Sequence, residues 1–296
     1  VSVWSDYNPG SYYLMNLETN KVTPLFKVAP WIDRKQMASM QPISFEARDG
    51  LEIRGYLTKP MEQEEKATPL IVLVHGGPYG VSDNWGYNRE VQFLAYHGYS
   101  VLQVNYRGSG GRGSEFQFDH YRKMGQEMQH DLTDATLWAI EQGHALKDKI
   151  CIYGASYGGY AALMGVAQEP NLYQCAVGYV GLYDIELWKH ADTVRSESGR
   201  RFVDEAWNRT DDAFVRQRSP IYHVDKIKAP VMLVHGGKDP RVPVKNYHNM
   251  KKALENAGKP SETLLMPYEG HGFYDLENNI ELYDKMLKFF DQHIGL

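Results

Sequence analysis

A serine lies at the centre of a G-x-S-x-G motif at residues 154–158, which read GASYG. An apolar run at 150–153 precedes the motif, and a segment of small residues at 160–167 follows it. A strand, a sharp turn and a helix in that order lift the serine hydroxyl clear of the backbone. The free N–H groups at the start of such a helix also favour negative charge. We therefore predict that Ser156 is a nucleophile; the alternative is a tight structural turn that buries the serine.

A serine hydroxyl becomes a useful nucleophile when a histidine takes its proton and an acid orients that histidine. In α/β-hydrolases the three groups follow the order Ser, Asp, His, and each comes after its own strand. Asp239 follows the apolar run 231–234, and His271 follows the run 262–266 between two glycines. The sequence therefore predicts Asp239 and His271 as the acid and the base.

Other acids and histidines fit these two roles less well. Asp184 opens an irregular stretch, and Asp225 precedes a strand instead of following one. His248 and His293 lie on predicted helices, which indicates surface positions. His235 lies at the end of a strand, where we expect a structural, hydrogen-bonded histidine.

Acyl transfer places negative charge on the former carbonyl oxygen, and two aimed N–H groups usually stabilise it. One donor is the backbone N–H of the residue after the nucleophile, here Tyr157. The other comes from the loop after an early strand, here the HGGP sequence at 75–78. Pro78 has no N–H, so we predict Gly77 as the second donor; the alternative is a simple Gly-Pro turn.

Short apolar runs that alternate with helical segments must position these groups. Such alternation predicts a mostly parallel sheet that helices cover on both faces. We expect an α/β-hydrolase fold with eight strands, at 43–48, 51–58, 70–74, 100–105, 149–153, 175–179, 231–234 and 262–266. We expect helices near 88–97, 126–142, 157–168, 244–257 and 278–293, and a helical insertion over the sheet at 183–210.

The first 35 residues have a different pattern. Alternating apolar positions at 11–17 and 21–26 flank a turn and predict a β-hairpin, and 30–42 is typical of a linker. We expect two domains, the hairpin at 1–35 and a catalytic domain at 36–296. Since the first residue is Val1, we also expect a fragment or a processed product.

A formal G-x-G-x-x-G occurs at 108–113. A dinucleotide site requires a helix that opens there and an acid at the end of the next strand. The aromatic segment 114–118 does not predict a helix, and Asp131 falls inside a helical stretch. We therefore expect a flexible loop beside the active site.

Composition excludes several classes of function. The chain has 296 residues with a net charge of -5, so nothing indicates a nucleic-acid partner. No apolar run approaches the roughly 18 residues of a membrane span, and no His/Cys cluster indicates a metal site. We expect Cys151 and Cys175 to be buried and unpaired. Unpaired cysteines favour the cytoplasm, with the periplasm as the alternative if a signal peptide has been removed.

Five motifs together resemble the catalytic domain of the prolyl oligopeptidase family of serine peptidases. They are HGGP (75–78), NYRGSGGRG (105–113), GASYGGY (154–160), HGGKDPRVP (235–243) and EGHGF (269–273). The resemblance covers about residues 40–296. The HGGP form is similar to the acylaminoacyl-peptidase branch, whereas other branches place a tyrosine where His75 stands.

This resemblance implies the roles given above for Ser156, Asp239, His271, Gly77 and Tyr157. It further implies that the arginine two residues after the acid, Arg241, binds a substrate carbonyl. Family members carry an N-terminal β-propeller, and the hairpin is similar to the last strands of one.

We therefore expect a serine peptidase that acts on short peptides through an acyl-enzyme. A carboxylesterase and a non-enzymatic binding module on the same fold are the alternatives. We expect no metal or organic cofactor and neither a nucleic acid nor a membrane as partner; a homo-oligomer is left open.

Overall fold

Two separate β-sheets occur in the computed structural model, which describes residues 1–61, 63, 65–208, 211–259 and 261–296. The smaller sheet is N-terminal, antiparallel and three-stranded. Its strands are β1 (Ser2–Val3), β2 (Ser11–Met15) and β3 (Val22–Lys27). The predicted hairpin is therefore present as β2 and β3, and β1 adds a strand that the sequence pattern does not predict.

The larger sheet has the eight predicted strands. They are β4 (Met40–Glu46), β5 (Glu52–Thr58), β6 (Thr68–Val74), β7 (Ser100–Asn105), β8 (Ala145–Ala155), β9 (Cys175–Tyr179), β10 (Val231–Gly236) and β11 (Glu262–Met266). Their order is β11-β10-β9-β8-β6-β7-β5-β4. Only β5 runs against its neighbours, so the predicted mostly parallel sheet is confirmed.

Helices cover both faces of this sheet. The α-helices are α1 (Arg89–Tyr96), α2 (Ser114–Phe118), α3 (Glu127–Glu141), α4 (Tyr157–Gln168), α5 (Glu197–Trp207), α6 (Asp212–Arg218), α7 (Lys245–Asn256) and α8 (Leu276–Ile294). Apolar side chains of α3, α4 and α7 join one core cluster, and those of α1 and α8 join the other. This two-sided burial is why β6 and β10 are continuous apolar runs instead of alternating ones.

The five predicted helices correspond to α1, α3, α4, α7 and α8. The predicted insertion is helical: it contains 3-10 helices at Ile185–His190 and Asp192–Arg195, followed by α5. Its last two positions, 209 and 210, lie outside the described residues. A further 3-10 helix at Pro220–Lys226 leads back to the sheet at β10.

The prediction of a linker at 30–42 is wrong in part. A 3-10 helix forms at Arg34–Gln36, and β4 begins at Met40. The buried Asp6 carboxylate accepts a hydrogen bond from the Met40 N–H at 2.8 Å, and the Gln92 side chain donates to the Asp6 carbonyl at 3.0 Å. Long-range contacts of this kind order the segment, and local composition does not reveal them.

The expectation of unpaired cysteines is also wrong. Cys151 on β8 lies directly opposite Cys175 on β9, their Cα atoms are 4.7 Å apart, and a disulfide joins them. This spacing lies within the ordinary disulfide range. The sequence shows that both cysteines are in strands but does not show the register that pairs them. The prediction of a cytoplasmic location depended on unpaired cysteines, and the disulfide removes that support.

No helix within the described ranges combines the length and apolarity that a membrane crossing requires.

Candidate active site

Ser156 occupies the sharp turn between β8 and α4. Its φ of 60° and ψ of -117° are unusual for a residue with a side chain, and they are typical of a nucleophile held on a strand-to-helix elbow. A Cβ at Gly154 or Gly158 would collide with the carbonyl oxygen of Val74 on the neighbouring strand. The two motif glycines are thus required because the elbow packs directly against β6.

The turn that carries Ser156 is also held by β9, on the side opposite β6. The Ser156 N–H donates to the carbonyl of Tyr179, the last residue of β9, at 2.9 Å. Tyr157, which opens α4, is buried, and the first N–H groups of a helix have no partner within the helix. The Tyr157 N–H is therefore available to an acceptor above the elbow.

Asp239 and His271 lie in direct contact. The Nδ1 atom of His271 is 2.7 Å from Oδ2 of Asp239. The Asp239 carboxylate is fully buried, whereas the His271 ring is 13% exposed. Because a carboxylate only accepts hydrogen bonds, Nδ1 carries the proton and Nε2 is the ring nitrogen that can accept one.

The second carboxylate oxygen of Asp239 is also occupied. Its Oδ1 atom accepts hydrogen bonds from the backbone N–H groups of Arg241 at 2.8 Å and Val242 at 2.9 Å. These bonds hold the carboxylate plane, so the orientation of His271 is set by the backbone of the β10 loop.

Two glycines bring the loop that carries Asp239 against the loop that carries His271. The N–H of Gly237 donates to the Met266 carbonyl, and the N–H of Lys238 donates to the Glu269 carbonyl, both at 2.8 Å. A Cβ at Gly236 or Gly237 would collide with backbone atoms of the His271 loop. The glycines of the HGGKDP sequence therefore permit a close approach of two backbones.

Glu269 is a positioning group that sequence reasoning missed. Its buried carboxylate accepts from the backbone N–H groups of Tyr274 and Asp275, each at 3.0 Å, and from Asn278 Nδ2 at 2.8 Å. Burial raises the pKa of Glu269, but these hydrogen bonds outweigh it and hold the pKa below its usual range. The sequence feature that could have indicated this role is an acidic residue two positions before the predicted catalytic histidine.

Gly77 lies in the loop directly after β6, beside the elbow. An added Cβ at the preceding Gly76 would lie 3.5 Å from the Cβ of Ser156. Gly77 is exposed and has a φ of 117°, a backbone conformation that favours glycine. The loop that carries Gly77 therefore lies beside Ser156, and Tyr157, the other predicted oxyanion donor, follows Ser156 directly in the chain.

The remaining predicted groups fall near this site. Arg241 has an exposed side chain two residues after Asp239. His235 is buried, and its Nε2 is 3.0 Å from the Val242 carbonyl; burial lowers its pKa. This contact is the one expected of a structural histidine.

The expectation for residues 114–118 is wrong, because they form α2. Five residues are too few to show helical periodicity, and the helix is stabilised by burial of Phe116, over which the Arg112 guanidinium lies at 4.4 Å. The other argument against a dinucleotide site remains. Asp131 lies inside α3, and Arg107 donates to it from Nε at 3.0 Å.

Comparisons with known proteins identify the family of this chain. A model of the prolyl oligopeptidase family matches residues 85–296. The chain belongs to the prolyl oligopeptidase family. This is the family that the five motifs resemble.

Two curated relatives of this chain come from different organisms. Dipeptidyl aminopeptidase BIII of Pseudoxanthomonas mexicana is 33% identical over 92% of this chain and 41% of its own length. Acylamino-acid-releasing enzyme 2 of Oryza sativa subsp. japonica is 30% identical over 77% of this chain and 30% of its own length. The chain thus spans less than half the length of these curated relatives.

A solved structure has the same fold. A solved structure of Pyrococcus horikoshii acylaminoacyl peptidase superposes with a TM-score of 0.87 at 24% identity, over 99% of this chain and 48% of that one. This similarity confirms the α/β-hydrolase fold of the prolyl oligopeptidase family.

Proposed function

We propose that this chain is the catalytic part of a serine peptidase that hydrolyses peptide bonds of short peptides with Ser156, His271 and Asp239 as its triad. The observation that supports the proposal most strongly is the 2.7 Å contact between His271 Nδ1 and Asp239 Oδ2. It fixes the tautomer whose Nε2 can act as a base. The three groups come from loops at the carboxyl ends of β8, β10 and β11, where sites of open α/β sheets gather.

In the first half of the reaction, Ser156 Oγ attacks the carbonyl carbon of the substrate. His271 Nε2 takes the hydroxyl proton, and the buried Asp239 carboxylate stabilises the imidazolium that forms. The N–H groups of Gly77 and Tyr157 donate to the oxyanion of the tetrahedral intermediate. His271 then gives the proton to the leaving amine, the C–N bond breaks, and an acyl ester of Ser156 remains.

In the second half, a water molecule attacks the ester carbonyl and gives a proton to His271 Nε2. The intermediate collapses with loss of the serine oxygen, to which His271 returns the proton. A peptide carboxylic acid leaves, and the enzyme returns to its starting state. Arg241, exposed beside the acid, is the group we assign to a carbonyl of the bound peptide.

Trp188 of the helical insertion is half-buried and packs edge-on at 4.0 Å against Trp207, whose ring lies 6.2 Å from that of Tyr157. Because Tyr157 and Trp207 are themselves buried in the core, Trp188 is the ring that we assign to an apolar substrate side chain next to the cleaved bond. Trp188 and Trp207 both belong to the helical insertion. The names of the two curated relatives, a dipeptidyl aminopeptidase and an acylamino-acid-releasing enzyme, support peptides as the substrate class.

The test compares kcat/KM for a peptidyl anilide and for an ester with the same acyl group. We expect the wild type to cleave both and Ser156→Ala to lose both, by about 10⁶-fold, because truncation of a triad serine removes the covalent route. Ser114→Ala, an exposed serine at the start of α2, is the matched control and should match the wild type. Cleavage of the ester alone would identify a carboxylesterase, and equal turnover by Ser156→Ala would exclude the triad.

A further inference from the structure

His75, the first residue of the HGGP loop, makes a short contact with its own chain. Its Nδ1 atom lies 2.7 Å from the Gly76 carbonyl oxygen. A carbonyl oxygen only accepts hydrogen bonds, so Nδ1 carries the proton. The Tyr106 hydroxyl donates to the His75 carbonyl at 2.9 Å, and its ring stacks on the imidazole at 4.4 Å.

The other ring nitrogen of His75 meets a serine from the glycine-rich loop at 108–113. Nε2 lies 3.0 Å from Oγ of Ser109, which is fully buried. Burial lowers the pKa of His75 to about 4, so the ring is neutral at pH 7 and Nε2 has a lone pair. The Ser109 hydroxyl must therefore be the donor in this contact.

The Gly76 carbonyl shares its peptide unit with the Gly77 N–H. This peptide bond is not among the cis bonds of the chain, and in a planar trans unit the C=O and the N–H point in opposite directions. A hydrogen bond that holds the carbonyl oxygen therefore also sets the direction of the N–H. The carbonyl is held by His75, and the N–H is the predicted oxyanion donor beside Ser156.

The other neutral tautomer would break this arrangement. With the proton on Nε2, the lone pair of Nδ1 would face the lone pairs of the Gly76 oxygen at 2.7 Å. Two acceptors at that distance repel, and the peptide unit would rotate away. Without the Ser109 hydroxyl, Nε2 would lose its donor, and the ring would lose the contact that holds it on the side opposite the Gly76 carbonyl.

We propose that Ser109 is a positioning residue for the oxyanion hole: its hydroxyl anchors the His75 ring, which holds the Gly76 carbonyl and thereby aims the Gly77 N–H at the substrate. The role rests on the proposed function, because it supposes that an oxyanion forms at Ser156. The glycine-rich loop thereby takes part in catalysis without contact to the reacting atoms.

The first test measures catalysis. We expect Ser109→Ala to lower kcat by about 10- to 100-fold, less than the loss of a whole oxyanion donor, with little change in KM. Ser109→Thr, which keeps the hydroxyl, should recover most of this loss. The exposed Ser114→Ala is again the control.

The second test separates an aiming role from a general structural one. A peptide aldehyde forms a tetrahedral adduct with an oxyanion, whereas the matching peptide alcohol does not. In Ser109→Ala the Ki of the aldehyde should rise by the same factor as kcat falls, while the Ki of the alcohol stays constant. An equal weakening of both inhibitors, or wild-type kinetics, would overturn the proposal.

The third test does not depend on turnover. The ring ¹⁵N resonances of His75, assigned by comparison with His75→Asn, report which nitrogen carries the proton. We expect the Nδ1–H tautomer in the wild type, and in Ser109→Ala the same tautomer with a changed Nε2 resonance, because Nε2 has lost its hydrogen-bond donor. An Nε2–H tautomer in the wild type would overturn the role of Ser109, even if the chain cleaved peptides. The expected tautomer in a chain without peptidase activity would contradict only the proposed function.

Discussion

The eight-stranded sheet and the three-stranded sheet bury their side chains to very different degrees. Every residue of β6 is buried, whereas every residue of β3 is exposed. Leu102 on β7 is 0% exposed and Leu14 on β2 is 61% exposed. Both sheets have apolar strands, but only the larger one has helices on its two faces. An apolar strand pattern thus predicts a strand without predicting that anything covers it.

The difference in burial between the two sheets also decides which of them can hold catalytic groups in a fixed geometry. A catalytic group must be held to within about 0.5 Å, which requires packed and hydrogen-bonded support. Ser156, Asp239 and His271 have that support from buried strands and from the glycines that let loops approach one another. The three-stranded sheet joins the larger unit mainly through the buried Asp6 and through the ring of Trp4, 6.1 Å from that of Trp85.

The largest expected effect in this comparison is the loss of kcat when the acid on the larger sheet is replaced. Asp239→Asn should lower kcat by about 10⁴-fold, because an amide in place of the carboxylate stabilises the wrong His271 tautomer. The backbone bonds to Oδ1 of residue 239 can persist, so the melting temperature should change little. Steady-state kinetics and thermal unfolding measure the two effects, and a loss of kcat below about tenfold would contradict the assignment of the acid.

A pair of matched truncations tests the contrast in burial. Leu102→Ala should lower the free energy of unfolding by about 2–5 kcal/mol, because it leaves a cavity in the core. Leu14→Ala, the same change on an exposed strand, should alter it by less than about 0.5 kcal/mol. Urea titrations measure both values. Similar losses for the two variants would show that the smaller sheet is covered in solution.

The smallest expected effect concerns the junction of the two sheets. Asp6→Ala should lower the free energy of unfolding by about 1–3 kcal/mol, because the buried N–H of Met40 loses its acceptor. Asp119→Ala, at an exposed position, is the control and should be neutral. Chemical denaturation again provides the measurement, and an unchanged Asp6→Ala would show that the junction contributes little.

Local patterns predicted much of the fold and of the site. The strand that precedes each of Ser156, Asp239 and His271 is apolar and bounded by glycine or proline, and the position of each residue in the loop after its strand excludes most rivals. These features are encoded within a few neighbouring residues. Periodicity likewise predicted five of the helices that pack on the sheet, α1, α3, α4, α7 and α8.

The features that sequence reasoning missed depend on contacts between distant segments. The disulfide depends on the register of β8 against β9, and the early start of β4 depends on Asp6. Glu269 and Ser109 act through hydrogen bonds whose partners no spacing rule specifies. The five-residue α2 is stabilised by burial of Phe116 in the core, and no periodic pattern of its own predicts it.

The most direct test of the triad is to react the chain with a fluorophosphonate, which phosphonylates an activated serine with loss of fluoride, and to map the adduct by peptide mass spectrometry. We predict one adduct, on the peptide that contains Ser156, with no labelling of Ser156→Ala and slow labelling of His271→Ala. An adduct on another serine, or equal labelling of Ser156→Ala, would contradict the assignment of the nucleophile.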